Sequence, residues 1–358
     1  MPPWNWRWWS VSTRPETGVS HPGARNTAGR LLACLKAAGG EYVSGTALGT
    51  SLGISRTAIW KQVRTLKGEG YEIESYPHLG YRLLSPPGAL SAREIEDGLG
   101  TRWLGRPVLI LAEADSTNRV AMQSPELGHG ALVAAHAQKA GRGRLGRQWC
   151  APEGTVPFSL VLCPALAPDR APLLTLATGL GLVRGIADAT GVRLDIKWPN
   201  DLLWRGRKVA GILTEVRSDP DRIVRAVVGV GLNVNTDIAC LPPEVAGRAA
   251  SVAEAVGEAI DPNRLMRGIL AALEAVYDEL MSASTDAAVA AILDRYRNHC
   301  ATIGREVTVS HSKGVSTVGI AVAVDAGGAL VVETPGGDRS RVFSGDVTLT
   351  GKHPEANP

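Results

Sequence analysis

The sequence predicts an α+β protein of several domains: a small helical unit with a β-hairpin, a central domain with a mixed sheet, and a small β-barrel at the end. Three observations support this fold class. The 358 residues exceed what one hydrophobic core usually serves. A Ser-Pro-Pro-Gly linker occupies residues 85–88. Beyond residue 302 the pattern changes to short alternating strands. The predicted domains therefore cover residues 26–85, 86–302 and 303–352.

Residues 1–25 precede these domains. They hold four of the nine tryptophans but lack the continuous apolar stretch of a secretory signal. We expect a disordered tail in this segment.

The first domain begins with two predicted helices. Leu31, Leu32 and Leu35 lie on one face of the first helix, ahead of a Gly-Gly break. The second helix covers roughly residues 44–52, and Gly53 stops it.

A third helix follows after a tight turn, with Ser55 as a good N-cap. Ile59, Val63 and Leu66 recur at i, i+4 and i+7 and form its buried stripe. Five polar or basic residues lie mostly off that stripe: Arg56, Thr57, Lys61, Gln62 and Arg64. The segment YEIESYPHLGYRLL alternates on both sides of a turn at residues 77–80, which predicts a hairpin wing. This combination is typical of a winged helix-turn-helix that reads the DNA major groove.

The distribution of charge favours the DNA interpretation. Residues 1–85 carry ten Lys/Arg against five Asp/Glu, whereas the remaining 273 residues carry 28 against 30. A three-helix protein-binding module with a solvated basic face remains the alternative.

The central domain is predicted from alternating strands and helices. The strands include LILAEA, ALVAAHAQ, VPFSLVLC and IVRAVVGVGLNV, and a long helix runs through LLTLATGLGLVRGIADATG. Strand pairs separated by two helical zones indicate a mixed sheet with helices on one face. The last fifty residues contain short strands punctuated by Asp-Ala-Gly-Gly and Pro-Gly-Gly, which predicts a small β-barrel.

Composition excludes several classes of protein. No apolar run approaches the about 18 residues of a membrane helix. The five cysteines, at positions 34, 150, 163, 240 and 300, show no C-x-x-C and no histidine pair at zinc-ligand spacing. We expect a reducing cytoplasm, with these thiols as small core residues.

The stretch AGRGRLGRQW, residues 140–149, contains the spacing G-x-G-x-x-G. A dinucleotide-binding loop would open a helix after Gly146, but polar, turn-forming residues follow. A Walker A loop is excluded because no Gly-Lys-Ser/Thr follows. What remains is a flexible strip whose guanidinium groups can bind carboxylate or phosphate. Alone, this stretch would be interpreted as a solvated basic loop.

Three further polar stretches accompany this loop. Upstream, DSTN occupies a strand-to-helix junction, where one of its side chains is expected to cap the helix. Downstream, Lys197 precedes Trp-Pro on an extended segment. Lys208 precedes a segment in which Gly211 admits close approach of a ligand, and GVGLNVN ends an apolar strand.

Together, DSTN, GRGRLGRQW, KWPND with a following K-x-x-G-I-L, and GVGLNVN resemble the bacterial biotin-protein ligases. With the helix-turn-helix in front and the barrel behind, residues 27–350 are similar to the bifunctional ligases that also repress the biotin operon. The resemblance implies a central domain like that of class II synthetases and an SH3-like C-terminal barrel.

Ligases of this family join the carboxylate of biotin to AMP from ATP and then pass biotin to a lysine of a biotin carboxyl carrier protein. The first step brings two anions together, so catalysis needs fixed positive charge more than a nucleophile. The resemblance implies Lys197 and Arg144 as catalytic residues. The implied biotin and adenylate contacts are Ser116, Thr117, Asn118, Gln138, Gly141, Arg142, Gly143, Arg144, Lys197, Lys208 and Gly211.

The resemblance also implies cofactors and partners. Magnesium accompanies ATP, and Asp201 is a candidate ligand, although it could equally be a turn residue. The expected partners are the carrier protein, operator DNA bound through residues 26–85, and a second subunit in a homodimer favoured by biotinyl-adenylate. Two other functions stay open: a lipoate-protein ligase, and a biotin-sensing repressor without ligase activity. The Gly-Arg loop and the DNA-binding module argue against the first, and Lys197 with Arg144 against the second.

Overall fold

The structure is a computed structural model that describes residues 22–85, 88–283, 286–310 and 316–350. The chain divides into two compact units, residues 1–87 and 88–358. The predicted central and C-terminal domains both fall within the second unit.

The first unit contains three helices and a hairpin. Its elements are α1 (Pro22–Ala37), α2 (Gly45–Leu52), α3 (Arg56–Gly68), β1 (Glu72–Tyr76) and β2 (Gly80–Ser85). Ser55 caps α3 as predicted, because its side chain accepts a hydrogen bond from Ala58 N. Helix α1 already begins at Pro22, so residues 22–25 of the predicted tail are helical. Residues 1–21 and the prolines of the predicted linker lie outside the described residues.

The hairpin packs on the segment between α1 and α2. Strands β1 and β2 are antiparallel and meet at the predicted turn, with Tyr76 opposite Gly80. Gly80 has a φ of 108°, and a Cβ there would lie 2.1 Å from Val43 O. Only glycine therefore permits this close approach.

The second unit is larger. In chain order its elements are α4 (Ala92–Glu96), β3 (Val108–Ala114), α5 (Thr117–Gln123), β4 (Leu132–Gln138), β5 (Gly141–Arg142), β6 (Gln148–Trp149), β7 (Thr155–Leu162), α6 (Ala171–Thr190), β8 (Asp195–Lys197), β9 (Asp201–Trp204), β10 (Arg207–Ser218), β11 (Ile223–Asn233), α7 (Pro243–Ala246), α8 (Val252–Val256), α9 (Pro262–Ser282), α10 (Asp286–Asn298), β12 (Glu306–Ser310), β13 (Ser316–Val324), β14 (Leu330–Glu333), β15 (Arg339–Val342) and β16 (Asp346–Thr350).

A seven-stranded mixed sheet forms its centre, in the order β3-β4-β7-β11-β10-β9-β8. Only β3 and β4 pair in parallel. Pro157 does not break the pairing between β7 and β4, because that pairing ends at Phe158. Pro157 therefore lies beside β11 alone, where a proline is tolerated.

The two faces of this sheet are covered differently. The long helices α6 and α9 pack together in the core that contains Phe158 and Leu160 of β7. Helix α5 packs on the opposite face, where Val161 of β7 and Val227 of β11 lie. The prediction of helices on one face therefore holds only for the long helices. Every residue of β7 is buried, so both faces of this central strand require cover.

Among the described residues, one helix, within residues 168–190, is long and apolar enough by length and composition to cross a membrane. The sequence contains no uninterrupted apolar run of this length, because the charged residue Arg184 stands within the helix. Of its apolar window, 67% is buried inside the protein, as in the core helix of a globular domain.

The C-terminal strands form an antiparallel sheet in the order β15-β14-β13-β12-β16. Within the described residues β15 and β16 do not pair with each other, so the predicted closed SH3-like barrel is not found. Val307 and Leu330 of this sheet belong to the same hydrophobic cluster as the central sheet.

Candidate active site

A cavity lies between the start of α5, the loop 142–149 and the strands β10 and β11. Ten predicted site residues line it: Ser116, Thr117, Asn118, Gln138, Arg142, Gly143, Arg144, Asp201, Lys208 and Gly211. The fold therefore brings together polar residues that the sequence spreads over almost a hundred positions. Lys197 and Gly141 do not line the cavity.

Three buried polar residues begin α5 at one end of the cavity. Ser116 caps the helix by accepting from Arg119 N, as the sequence predicted for one residue of this segment. Thr117 donates its backbone N–H to Gln138 Oε1 at 3.0 Å. The Thr117 hydroxyl lies 3.4 Å from the same oxygen.

Asn118 is held by the sheet. Its Nδ2 donates to Leu213 O at 3.1 Å and to Glu215 Oε2 at 2.8 Å, and its Oδ1 accepts from Ser159 Oγ at 2.7 Å. A Cβ on Gly229 would lie 2.0 Å from Asn118 Oδ1. The glycine in GVGLNVN therefore makes room for this amide.

Trp149 forms a wall of the cavity. A Cβ on Gly231 would lie 2.2 Å from its ring, so this glycine lets the indole pack on β11. Among the described residues, Trp149 Nε1 is buried without a hydrogen-bond partner. Lys208 Nζ lies 5.5 Å from the ring centroid. A buried free donor and a flat apolar surface suit a planar ligand with an acceptor.

The arginine-rich loop is a tight turn. Gly143 N donates to Arg147 O at 2.7 Å, and strand β6 follows where a dinucleotide-binding loop would open a helix. Leu145 has a φ of 55° and its side chain is exposed. Gly141 serves loop closure, because a Cβ there would lie 2.4 Å from Trp149 O.

The basic side chains of the cavity contact polar or acidic partners. Arg144 donates to Asn200 Oδ1 at 2.9 Å. Lys208 pairs with Asp201 at 2.6 Å, and Arg147 pairs with Asp346 at 2.5 Å. The last pair attaches the C-terminal sheet to the loop.

Burial and these charges shift several pKa values. Burial lowers the pKa of Lys197 and of Arg144, because desolvation disfavours the charged form. The carboxylates of Asp201 and Asp346 partly offset this effect at Lys197. The hydrogen bond from Arg147 lowers the pKa of Asp346, and the charges of Lys197 and Arg144 add to this shift. Lys197 therefore belongs electrostatically to the cavity although it does not line it.

Lys197 is fixed by the turn that follows it. Trp198 is 1% exposed, donates its Nε1–H to Gly328 O at 3.0 Å, and donates its backbone N–H to Thr302 Oγ1 at 2.9 Å. These two hydrogen bonds of Trp198 hold the backbone next to Lys197, which explains the fixed position that the sequence led us to expect for this lysine.

Comparisons with known proteins agree with this geometry. Residues 111–233 match the Biotin/lipoate A/B protein ligase family, residues 29–82 match an HTH domain, and residues 302–349 match the Biotin protein ligase C terminal domain. The bifunctional ligase/repressor BirA of Bacillus subtilis is 36% identical over 325 residues, which cover 89% of this chain and 97% of that protein. The chain belongs to the biotin-protein ligase family.

Other ligases extend this result. BirA of Escherichia coli is 33% identical, over 86% of this chain and 92% of that protein. The biotin protein ligase from Aquifex aeolicus in complex with biotin and ATP superimposes with a TM-score of 0.58 at 26% identity, covering 68% of this chain and 99% of that one. The protein is thus a biotin-protein ligase with a helix-turn-helix domain of the ligase/repressor type.

Several residues of this ligase cavity were not predicted as site residues. Arg147 and Trp149 lie in the stretch AGRGRLGRQW, and Asn200 lies in KWPND. The sequence motifs could therefore have indicated these three residues as site residues. Asp346 had none, because nothing in the sequence indicates that β16 reaches the loop. For magnesium, no group of three or more His, Cys, Asp or Glu side chains could hold a metal ion in the part of the chain that the structure describes.

Proposed function

We propose that this ligase activates biotin with ATP and transfers it to a lysine of a biotin carboxyl carrier protein. A carboxylate oxygen of biotin would attack the α-phosphate, and pyrophosphate would leave. The lysine amine of the acceptor would then attack the acyl carbon, and AMP would leave. The observation that carries this proposal is one cavity with hydrogen-bonding groups at the α5 end and four basic side chains at the loop end.

Each end of the cavity would bind a different part of the ligand. The ureido ring of biotin carries N–H donors and a carbonyl, which suit Thr117, Gln138 and their neighbours. The carboxylate and the phosphates would meet Arg142 and Arg144. Their charges, with that of Lys197 beside the cavity, would offset the repulsion between the reacting anions. Magnesium bound to ATP would supply further positive charge, and Asp201, the ligand predicted from the sequence, lies in the cavity wall.

Biotin-dependent exchange of pyrophosphate into ATP tests this function. The purified protein with biotin and ATP should catalyse exchange and, with acceptor, release AMP. Lipoate should not replace biotin, because its dithiolane ring has no N–H donors for the α5 end. Exchange with lipoate alone would make the protein a lipoate ligase, and absence of exchange with either would leave a ligand-binding repressor.

A second proposed function is repression of transcription in the cytoplasm. Four of the five predicted DNA-contact residues, Arg56, Thr57, Lys61 and Arg64, are exposed on α3, and Gln62 is half-buried. Ile59, Val63 and Leu66 of the same helix are buried, so the basic face is available to the major groove. We propose that a homodimer favoured by biotinyl-adenylate binds the operator.

A further inference from the structure

The side chain of Asn118 uses all its hydrogen-bond donors inside the protein. An amide carries two N–H donors, and those of Asn118 go to Leu213 O and Glu215 Oε2. Its Oδ1 faces Ser159 Oγ, and Asn118 is only 4% exposed. Asn118 was predicted to contact biotin, but this arrangement leaves it no free donor. We call Ser159, Asn118 and Glu215 the Asn118 network.

The network reaches the cavity through Thr117. Ser159 is fully buried on β7, and its single hydroxyl proton lies within reach of both Asn118 Oδ1, at 2.7 Å, and Thr117 Oγ1, at 2.8 Å. The Thr117 hydroxyl proton points to Gln138 Oε1. A hydroxyl oxygen has two acceptor lone pairs, and since Ser159 shares its one proton between two acceptors, Thr117 Oγ1 is only partly engaged and stays a good acceptor toward the cavity.

Glu215 and the carbonyl of Leu213 together set the orientation of the amide, and the carboxylate is the stronger acceptor because it is charged. If Oδ1 and Nδ2 of Asn118 exchanged places, Oδ1 would face the carboxylate of Glu215 and the carbonyl of Leu213, which are both acceptors. Nδ2 would then donate to Ser159, and the Ser159 proton would go wholly to Thr117 Oγ1. That flip would fully engage one of the two lone pairs of Thr117 Oγ1 and so weaken Thr117 as an acceptor for a ligand.

We propose that Glu215 is a positioning residue for biotin. It fixes the amide of Asn118 and, through Ser159, keeps Thr117 Oγ1 as an acceptor for a ureido N–H. Glu215 does not line the cavity, so it acts only through its neighbours. The proposal rests on the proposed function, which places the ureido ring at Thr117.

Two substitutions at one position test the role. Glu215→Met removes the acceptor and nearly keeps the length of the side chain, whereas Glu215→Gln keeps one acceptor oxygen. In the exchange assay we expect Glu215→Met to raise the KM for biotin about tenfold, the size of one lost hydrogen bond. The KM for ATP and the kcat at saturating biotin should stay within about twofold. Glu215→Gln should restore most of the affinity for biotin.

Arg225→Lys provides a matched structural control. Arg225 lies on β11 and donates to Ala121 O, Ser124 O and Leu127 O, so it holds the other end of α5. This variant should lower the melting temperature and leave the KM for biotin unchanged. Should Glu215→Met behave in the same way, or raise both KM values equally, Glu215 would be merely structural and the proposal would be overturned.

Two further measurements keep the outcomes separate. Ser159→Ala removes the proton that the flip would send to Thr117, so the double variant Ser159→Ala/Glu215→Met should show no higher KM for biotin than Ser159→Ala alone. Glu215→Leu, which also removes the acceptor, replaces Glu215→Met if that protein does not fold. Calorimetric titration of biotin alone should show the same loss of affinity as the KM. A wild-type protein without biotin binding or exchange would overturn the proposed function, whereas an active wild type with unchanged biotin affinity in the folded Glu215 variant would overturn only the role of Glu215.

Discussion

At the residue scale, the ammonium group of Lys197 combines burial with proximity to two carboxylates. Its position depends on Trp198, which is anchored by two hydrogen bonds to the C-terminal part of the chain. Such a charge interacts more strongly in a partly desolvated site than in water, because less solvent screens it.

Replacement of Lys197 is therefore expected to abolish adenylate formation and leave the fold intact. Lys197→Met nearly keeps the stem of the side chain but removes the charge that offsets repulsion between carboxylate and phosphate. We expect a loss of exchange activity of at least about a hundredfold, measured beside a thermal melt. Wild-type exchange rates in a folded variant would contradict this role.

The lowered pKa of Lys197 predicts a pH dependence. The reaction needs the charged ammonium, so exchange activity should fall on the alkaline side at a pH below the ordinary value of 10.5. Because the unfolded chain binds this proton more tightly, rising pH between the two pKa values also favours folding. Lys197→Arg, whose guanidinium stays charged, should lose this alkaline decline in whatever activity remains. The same decline in the arginine variant would assign it to another group.

Gly231 lies against the Trp149 ring and leaves no room for a larger side chain. In Gly231→Ala the new methyl group would lie 2.2 Å from the Trp149 ring, so the indole must move and reshape the cavity wall. We expect kcat/KM for adenylation to fall about tenfold or more. Gly247→Ala is the matched control, because a Cβ at Gly247 meets nothing within 4 Å.

At the element scale, the arginine-rich loop is attached to the rest of the site by side chains. Arg144 connects it to the turn after β8, and Arg147 connects it to β16. Glycines at both ends of this turn make closure and opening cheap in backbone strain. The loop is thus suited to cover a reactive intermediate.

Loosening this cover should release the intermediate. In Arg144→Gly we expect biotinyl-adenylate to dissociate faster and to label lysines of unrelated proteins. Arg205→Gly, in the exposed turn between β9 and β10, serves as an arginine-to-glycine control. If the dissociation rate of the adenylate is unchanged in Arg144→Gly, Arg144 does not retain it.

At the scale of the whole molecule, the proposed regulation joins two separately compact units. A single winged helix has a small footprint and supports only weak, salt-sensitive DNA binding. Two modules held in a dimer bind far more tightly through effective concentration. Ordering of the loop by adenylate could favour dimerisation, because the ordering entropy is already spent on the ligand.

We predict tighter operator binding in the presence of biotin and ATP, measured at one fixed salt concentration on duplexes selected from a random pool. Arg56→Ala or Gln62→Ala should cost about 1–3 kcal/mol on operator DNA if they contact base edges, without changing adenylation. Deletion of residues 1–85 should abolish DNA binding and spare ligation. Equal affinity with and without ligand, together with a monomer in sedimentation, would contradict this regulation.

Local patterns in the sequence determined much of this protein. The stripe of Ile59, Val63 and Leu66, the cap at Ser55 and the long helix α6 follow from periodicities that neighbouring residues impose on each other. The order of four polar stretches determined the family, because each stretch carries its own chemistry.

Only the tertiary structure decided which of these residues meet. Asn118 and Glu215 are 97 positions apart, and Arg147 and Asp346 are 199 apart. Their contacts depend on the order of strands, which no local pattern specifies. The same reason explains why α5 packs on the second face, why β15 and β16 do not pair within the described residues, and why Lys197 lies beside the cavity rather than in its wall. Strand order is set by burial of the whole core, and that is a property of the complete chain.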